Sequence, residues 1–94
     1  MQKAEAEQIA INALAFIAGE PELLPRFLSL TGIEASQIRQ AAAEPGFLAG
    51  VLGFILAHEP TLLRFSQASG ISPATIAAAP LALPGGAAAY DIQP

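Results

Sequence analysis

The stretch LAFIAGEPELLPRF, beginning at Leu14, returns as LGFILAHEPTLLRF at Leu52. No other feature limits the fold as strongly. Leu14, Phe16 and Ile17 align with Leu52, Phe54 and Ile55, and Glu20-Pro21 aligns with Glu59-Pro60. The match continues through Leu23-Leu24 with Leu62-Leu63, Arg26-Phe27 with Arg64-Phe65, Gly32-Ile33 with Gly70-Ile71, and Ile38 with Ile76. One residue is gained before Glu59 and one is lost opposite Pro25. A period near 38 residues in a chain of 94 leaves room for two copies of one unit. Stacked solenoids generally need about three or more units before neighbours bury a continuous core. Two units therefore predict a closed, pseudo-symmetric bundle in one domain over residues 1–80, with repeats at about 4–43 and 44–80.

Within each unit the hydrophobic pattern is helical. From Ala4 to Ala18, Ile9, Ala10, Ala13, Phe16 and Ile17 recur at the spacing of one helix face, while Glu5, Gln8 and Asn12 fall opposite. Glu20-Pro21-Glu22 reads as a restart, because Pro suits the first helical position and acids favour the positive end of the helix dipole. Counted from Pro21, Pro25 lies a turn inside and is expected to distort it. Glu22 and Arg26 are spaced to pair at i,i+4. Gly32 supplies a left-handed stop.

A third helix reads from about Ala35 to Ala43, and Glu44-Pro45 opens a fourth that reaches Ala57. Phe47, Leu48, Val51, Leu52, Phe54, Ile55 and Leu56 surround its axis, so it is the expected enclosed, central helix. Gly46, Gly50 and Gly53 cost it about 1 kcal/mol each relative to Ala if interior. Close approach of a neighbour is the expected compensation. Glu59-Pro60 opens a fifth helix, ended by Gly70. Ser72-Pro73 opens a sixth, with Ser as N-cap and Pro at N1, ended by Pro80. No segment alternates with period two, so no strand is expected. Residues 81–94 read as a flexible Pro/Gly/Ala tail, in which Leu81, Leu83, Tyr90 and Ile92 are the side chains able to dock on an apolar groove. The expected core is Leu14, Phe16, Ile17, Phe27, Ile33, Ile38, Leu52, Phe54, Ile55, Phe65, Ile71 and Ile76, and Phe54→Ala is expected to cost about 3–5 kcal/mol.

Only 13% of the chain is charged and 53% is hydrophobic, leaving too little polar residue to cover the surface, so an exposed apolar patch is expected. Eight acidic against four basic side chains give a net charge of −4, which repels phosphate backbones and anionic lipid headgroups. The absence of cysteine removes disulfides, thiol nucleophiles and thiolate metal sites together. The longest apolar run, Phe47 to Ala57, is far short of the roughly 20 residues that span a bilayer. Glu5, Glu7 and Asn12 interrupt the stretch after Lys3, unlike a secretory signal. The expected location is the cytoplasm, with no membrane partner.

The sharpest functional motif is FSQASGISPATIAAA, a helix, a glycine turn, a buried aliphatic and a second helix: the pattern of a helix-turn-helix around Gly70. The first unit's RFLSLTGIEASQIRQ echoes it, with bulky Leu28 where the motif takes a small residue. DNA recognition needs base-edge donors and phosphate-binding cations on the second helix. Ser72 to Ala79 carries no charge, and Arg39 stands alone on the equivalent helix, so the motif reads as packing and nucleic acid is disfavoured. His58, the single imidazole, sits beside Glu59 at a helix junction, where its ordinary role is a cation at the end of the fourth helix. Glu20/Arg26 and Glu59/Arg64 read as surface charges near helix starts. Ser29, Ser36, Ser66, Ser69 and Ser72 have one histidine and Asp91 to work with, a poor prospect for a triad. No catalytic residue, no cofactor-binding residue and no metal ligand is assigned.

The run from Ala13 to Phe65 that contains the Glu-Pro, Arg-Phe-Leu and Thr-Gly-Ile strings, followed by SGISPATIAAA, resembles a family of short bacterial proteins known as a domain of unknown function. The likeness covers about residues 5–80 and implies a small, all-helical protein, with no activity or cofactor to carry over. The expectation is an all-α bundle of about six short helices in two pseudo-repeats of three, with helix-turn-helix-like packing. The expected function is a non-catalytic protein-interaction module, meeting a protein partner or its own copy. The alternative is a DNA-binding transcriptional regulator using the Gly70 motif.

Overall fold

The computed structural model describes residues 1–86. The chain forms six α-helices: α1 Lys3–Gly19, α2 Leu23–Thr31, α3 Ile38–Ala41, α4 Phe47–Leu56, α5 Glu59–Ser69 and α6 Pro73–Ala78. A 3₁₀ turn at Ala35–Gln37 precedes α3 and another at Ala79–Ala82 follows α6, and the described residues contain no strand. The extents of the fold are 30 × 29 × 27 Å, those of a compact helical globule.

The three Glu-Pro pairs act in two ways. Glu59 and Pro60 occupy the first two positions of α5, as expected. At Glu20-Pro21 and Glu44-Pro45 the chain turns first, and each helix begins two residues beyond its proline. The Glu20 carbonyl accepts from the backbone N–H groups of Leu23 (3.1 Å) and Leu24 (3.2 Å), and the Glu44 carbonyl from Phe47 (3.2 Å). The later start changes the meaning of Pro25. It is the third residue of α2, inside the first turn, whose N–H groups have no acceptor within the helix. Its missing donor costs little there.

The core forms where α1 lies on α4. Ala6, Ile9, Ala10, Ala13 and Ile17 are the buried side of α1, and Ala49, Val51, Leu52 and Ile55 that of α4. Phe47, Leu48, Phe54 and Leu56 are half-buried against the same cluster and Gly50 is exposed, so α4 is a core helix but not the enclosed one expected: one side of it reaches solvent. The glycines of α4 do not serve that packing: a Cβ at Gly50 or Gly53 would meet nothing within 4 Å. The small surfaces at the helix contact are the alanines of α1. Phe27 of α2 stands edge-on to Phe54 (centroids 5.4 Å apart) and to Phe47 (6.1 Å), and Phe16 packs against Phe65 (5.5 Å).

Of the expected core, Ile17, Phe27, Leu52, Ile55, Phe65 and Ile76 are fully buried, while Leu14, Phe16, Phe54 and Ile71 flank it half-buried. Ile33 and Ile38 do not join it. The reason is the length of α3. Four residues present one turn, and the most extensive neighbour of that turn is the 3₁₀ segment just before it. The expected tail boundary also moves. Ala79, Pro80 and Leu83 are buried, and the second 3₁₀ turn lies on α1, α4 and α6, so the chain stays packed beyond residue 81. Leu83 docks, at 5% exposure, whereas Leu81 faces outward. Tyr90 and Ile92 lie outside the described residues.

Among the described residues no single helix is long and apolar enough to cross a membrane. The apolar pair α4–α5 has the combined length, but the two helices are bent by 109°.

Candidate functional site

Both glycine turns are built by the same local chemistry. Gly32 and Gly70 take left-handed φ angles of 74° and 75°, which only glycine adopts without strain. The residue before each is a hydroxyl that bonds back one turn: Thr31 Oγ1 donates to the Phe27 carbonyl (2.8 Å) and Ser69 Oγ to the Phe65 carbonyl (2.7 Å). The same oxygens accept from the N–H of Ile33 (3.4 Å) and Ile71 (3.2 Å). Each hydroxyl thus adds a second bond to a carbonyl in the last turn and satisfies the amide just beyond the glycine.

Beyond the turn the units part. In the second, Ser66 Oγ donates to the Ile71 carbonyl (2.6 Å), tying the turn to α5. Ser72 is extended, and its hydroxyl accepts from the Thr75 N–H (3.2 Å), the N-cap expected. Helix α6 then packs on α4 and α5 through Ile76. The side of α6 left outward is Ala74, Ala77 and Ala78, all exposed, and it extends to Leu81, 63% exposed, in the 3₁₀ turn. These positions follow i, i+3, i+4 and i+7, so they line one face. From Phe65 to Gly86 there is no charged side chain. The outward face of α6 and of the turn after it is therefore a continuous neutral, apolar strip.

The chain's cations lie elsewhere. Arg64 pairs with Glu20 on the surface, the one ion pair among the described residues, and it joins the two units rather than repeating within each. The expected Glu22–Arg26 pair does not form. The Arg26 guanidinium instead sits over the Phe54 ring, 5.6 Å from its centroid. Arg39 lines a cleft with Leu14, Ala35, Ser36, Ile38 and Ala42. Lys3 lines another with Glu7 and Glu44.

His58 is the N-cap residue of α5, and its Nδ1 is hydrogen-bonded to Thr61 Oγ1 at 2.7 Å. The imidazole is thus turned toward the start of α5 rather than the end of α4, where it holds a threonine that is itself buried. No group of three or more His, Asp or Glu residues with metal-binding geometry occurs among the described residues. Ser66, Ser69 and Ser72 are engaged in turn and cap bonds. Asp91 lies outside the described residues.

The best-formed recess, between Lys3, Glu7, Gly46, Leu48 and Leu83, holds about 240 Å³, below the roughly 300–1,000 Å³ of small-molecule sites. The other clefts are wide and open. What the structure offers is surface rather than cavity, and the outward strip of α6 is its most distinct part. The alanine-rich helix is legible in the sequence but the strip is not, because burial of Ile76 and Ala79 decides which of the neighbouring alanines face out.

A family model described as "Protein of unknown function (DUF3572)" matches residues 3–86. The chain belongs to this family. The match includes the docked segment through Gly86, past the point where repeat spacing ends the domain. No curated protein and no solved structure matches the chain.

Proposed function

We propose that this DUF3572 member is a non-catalytic protein-interaction module, and that the strip Ala74–Ala77–Ala78–Leu81 is the face on which an apolar surface of a protein partner sits. The observation that carries the reading is the neutrality of that face together with its exposure. Charged residues are depleted at the cores of protein interfaces, and an exposed face without them is suited to desolvation against a partner. Small side chains let another helix approach closely, while Leu81, 63% exposed, adds apolar area to remove from water.

The DNA-binding alternative draws on the helix, glycine turn and helix of α5 and α6. Its outward helix offers methyl groups where base-edge donors are needed, and Ser72 and Thr75 bond to one another at 2.8 Å. Arg64, the nearest cation in the unit, is already paired.

Capture from native lysate on the tagged protein, with and without nuclease, separates the readings. The interaction module retains a specific protein after nuclease treatment, and Leu81→Glu or Ala77→Glu abolishes retention with helical content and melting temperature unchanged. Sedimentation of the purified protein reports whether the occupant is instead a second copy. A protein that is monomeric, retains nothing and binds no apolar dye would sink the reading. Retention lost on nuclease treatment would replace it with DNA binding.

A further inference from the structure

In the second unit Leu52 and Ile76 are both fully buried in one cluster. Their counterparts Leu14 and Ile38 are each half-buried and line an open cleft of about 620 Å³, whose remaining walls include only small residues besides Arg39. The segment that carries Ile38 is bonded to itself. Gln37 N–H donates to the Glu34 carbonyl (2.8 Å), Ala42 to Ile38 (2.8 Å), Ala43 to Gln40 (3.2 Å) and Glu44 to Ala41 (2.9 Å). The Glu34 and Gln37 side chains add a reciprocal capping box. Among the described residues no hydrogen bond links residues 34–43 to α1, α4 or α5. At its two ends stand glycines with positive φ, Gly32 at 74° and Gly46 at 90°.

We propose that residues 33–45 form a lid, hinged at Gly32 and Gly46, that alternates between the raised position seen here and a seated one in which Ile38 packs against Leu14. Seating moves a preformed unit whose hydrogen bonds to the rest of the bundle, Ile33 N–H to Thr31 Oγ1 (3.4 Å) and Phe47 N–H to the Glu44 carbonyl (3.2 Å), lie beside the two glycines. Its drive is burial of the Ile38 and Leu14 surfaces that the second unit buries permanently. The lid governs access to Leu14, the one member of the aligned Leu14/Leu52 pair that the bundle leaves half-open.

Methyl relaxation dispersion on the full chain tests this on the microsecond-to-millisecond scale of such motions. Ile38, Ile33 and Leu14 methyls are expected to share one exchange rate, with flat profiles at Ile76 and Leu52. Amides of Ala42 and Glu44 are expected to exchange with solvent about 100-fold faster than those of Leu52 and Ile55, through opening that leaves the core intact. Because the chain has no cysteine, Leu14→Cys with Ile38→Cys introduces the only thiols. Oxidation is expected to link them and to flatten the Ile33 profile, and reduction to restore it. A flat Ile38 profile in the unaltered protein, amide protection in the lid equal to that of α4, or thiols that stay reduced in a folded double variant would each overturn the lid.

Discussion

The Gly32 turn and the Gly70 turn share one hydroxyl-and-glycine geometry and then lead to different structures. In both, a buried phenylalanine, a hydroxyl that bonds back to it and a left-handed glycine place an isoleucine at the same point. After Ile71 the chain reads Ser-Pro, a cap and a first-turn proline, and the helix that follows runs into the 3₁₀ turn carrying Pro80 and Leu83 onto α1 and α4. After Ile33 the chain reads Glu-Ala-Ser, forms a 3₁₀ turn and a four-residue helix, and leaves toward α4 by another turn. Turns are written locally. Whether the element beyond a turn joins the core depends on what anchors its far end.

The largest expected effects test that distinction. Phe27→Ala and Phe65→Ala are each predicted to cost about 3–5 kcal/mol, since both rings are fully buried ahead of their turns. Ile76→Ala should cost about 2–5 kcal/mol, whereas Ile38→Ala should cost about 1 kcal/mol or less because its surroundings already reach solvent. Denaturant midpoints at unchanged m-value measure all four. An Ile38→Ala loss as large as that of Ile76→Ala would show the first unit packed like the second and erase the contrast.

This asymmetry marks the limit of what spacing and capping chemistry specify. Helix type, the glycine stops, the Ser72 cap and the place of α4 in the core follow from spacing and capping chemistry, and they agree with the structure. The repeat, taken as evidence for equal packing, placed Ile33 and Ile38 in the core, because alignment compares residues and carries no information on how far a four-residue helix can reach. Leu83 falls in a tail by sequence, since Pro and Gly around it signal turns but not what a turn rests on. The alanines of α1 were legible as a face and undervalued as core. On the candidate site, the lack of charge on α6 was visible, and which alanines are outward was not.

Substitution of the turn glycines is the next smaller effect, and here the two units should agree. Gly32→Ala and Gly70→Ala each force a Cβ into the left-handed region, at about 1–2 kcal/mol. Neither site has an atom within 4 Å of the added carbon, so backbone strain is the whole cost. Equal losses at the glycines beside unequal losses at the isoleucines would locate the divergence after the turn. Unequal glycine losses would place it in the turn itself. Ser72→Ala should then cost about 1 kcal/mol through its lost cap, and Glu34→Ala, whose cap serves an exposed 3₁₀ turn, about 0.5 kcal/mol or less.

The smallest effect concerns the one ion pair, which binds the end of α1 in the first unit to α5 in the second. Both side chains reach solvent, Arg64 at 48% and Glu20 at 29% exposure, so screening limits the pair. A double-mutant cycle on Glu20→Gln and Arg64→Gln should give a coupling of about 0.2–1 kcal/mol that shrinks as salt rises. The sequence alignment assigns these residues to repeated pairs within each unit, Glu20 with Arg26 and Glu59 with Arg64. Coupling between Glu20 and Arg64 with none between Glu59 and Arg64 would show that the charges link the units instead of copying one another. Arg26→Ala should then weaken the fold through its contact with the Phe54 ring, at about 0.5–1 kcal/mol, with no dependence on Glu20. The units would then share their turn chemistry while their two central arginines do different work, one bridging the halves and one covering an aromatic edge of the core.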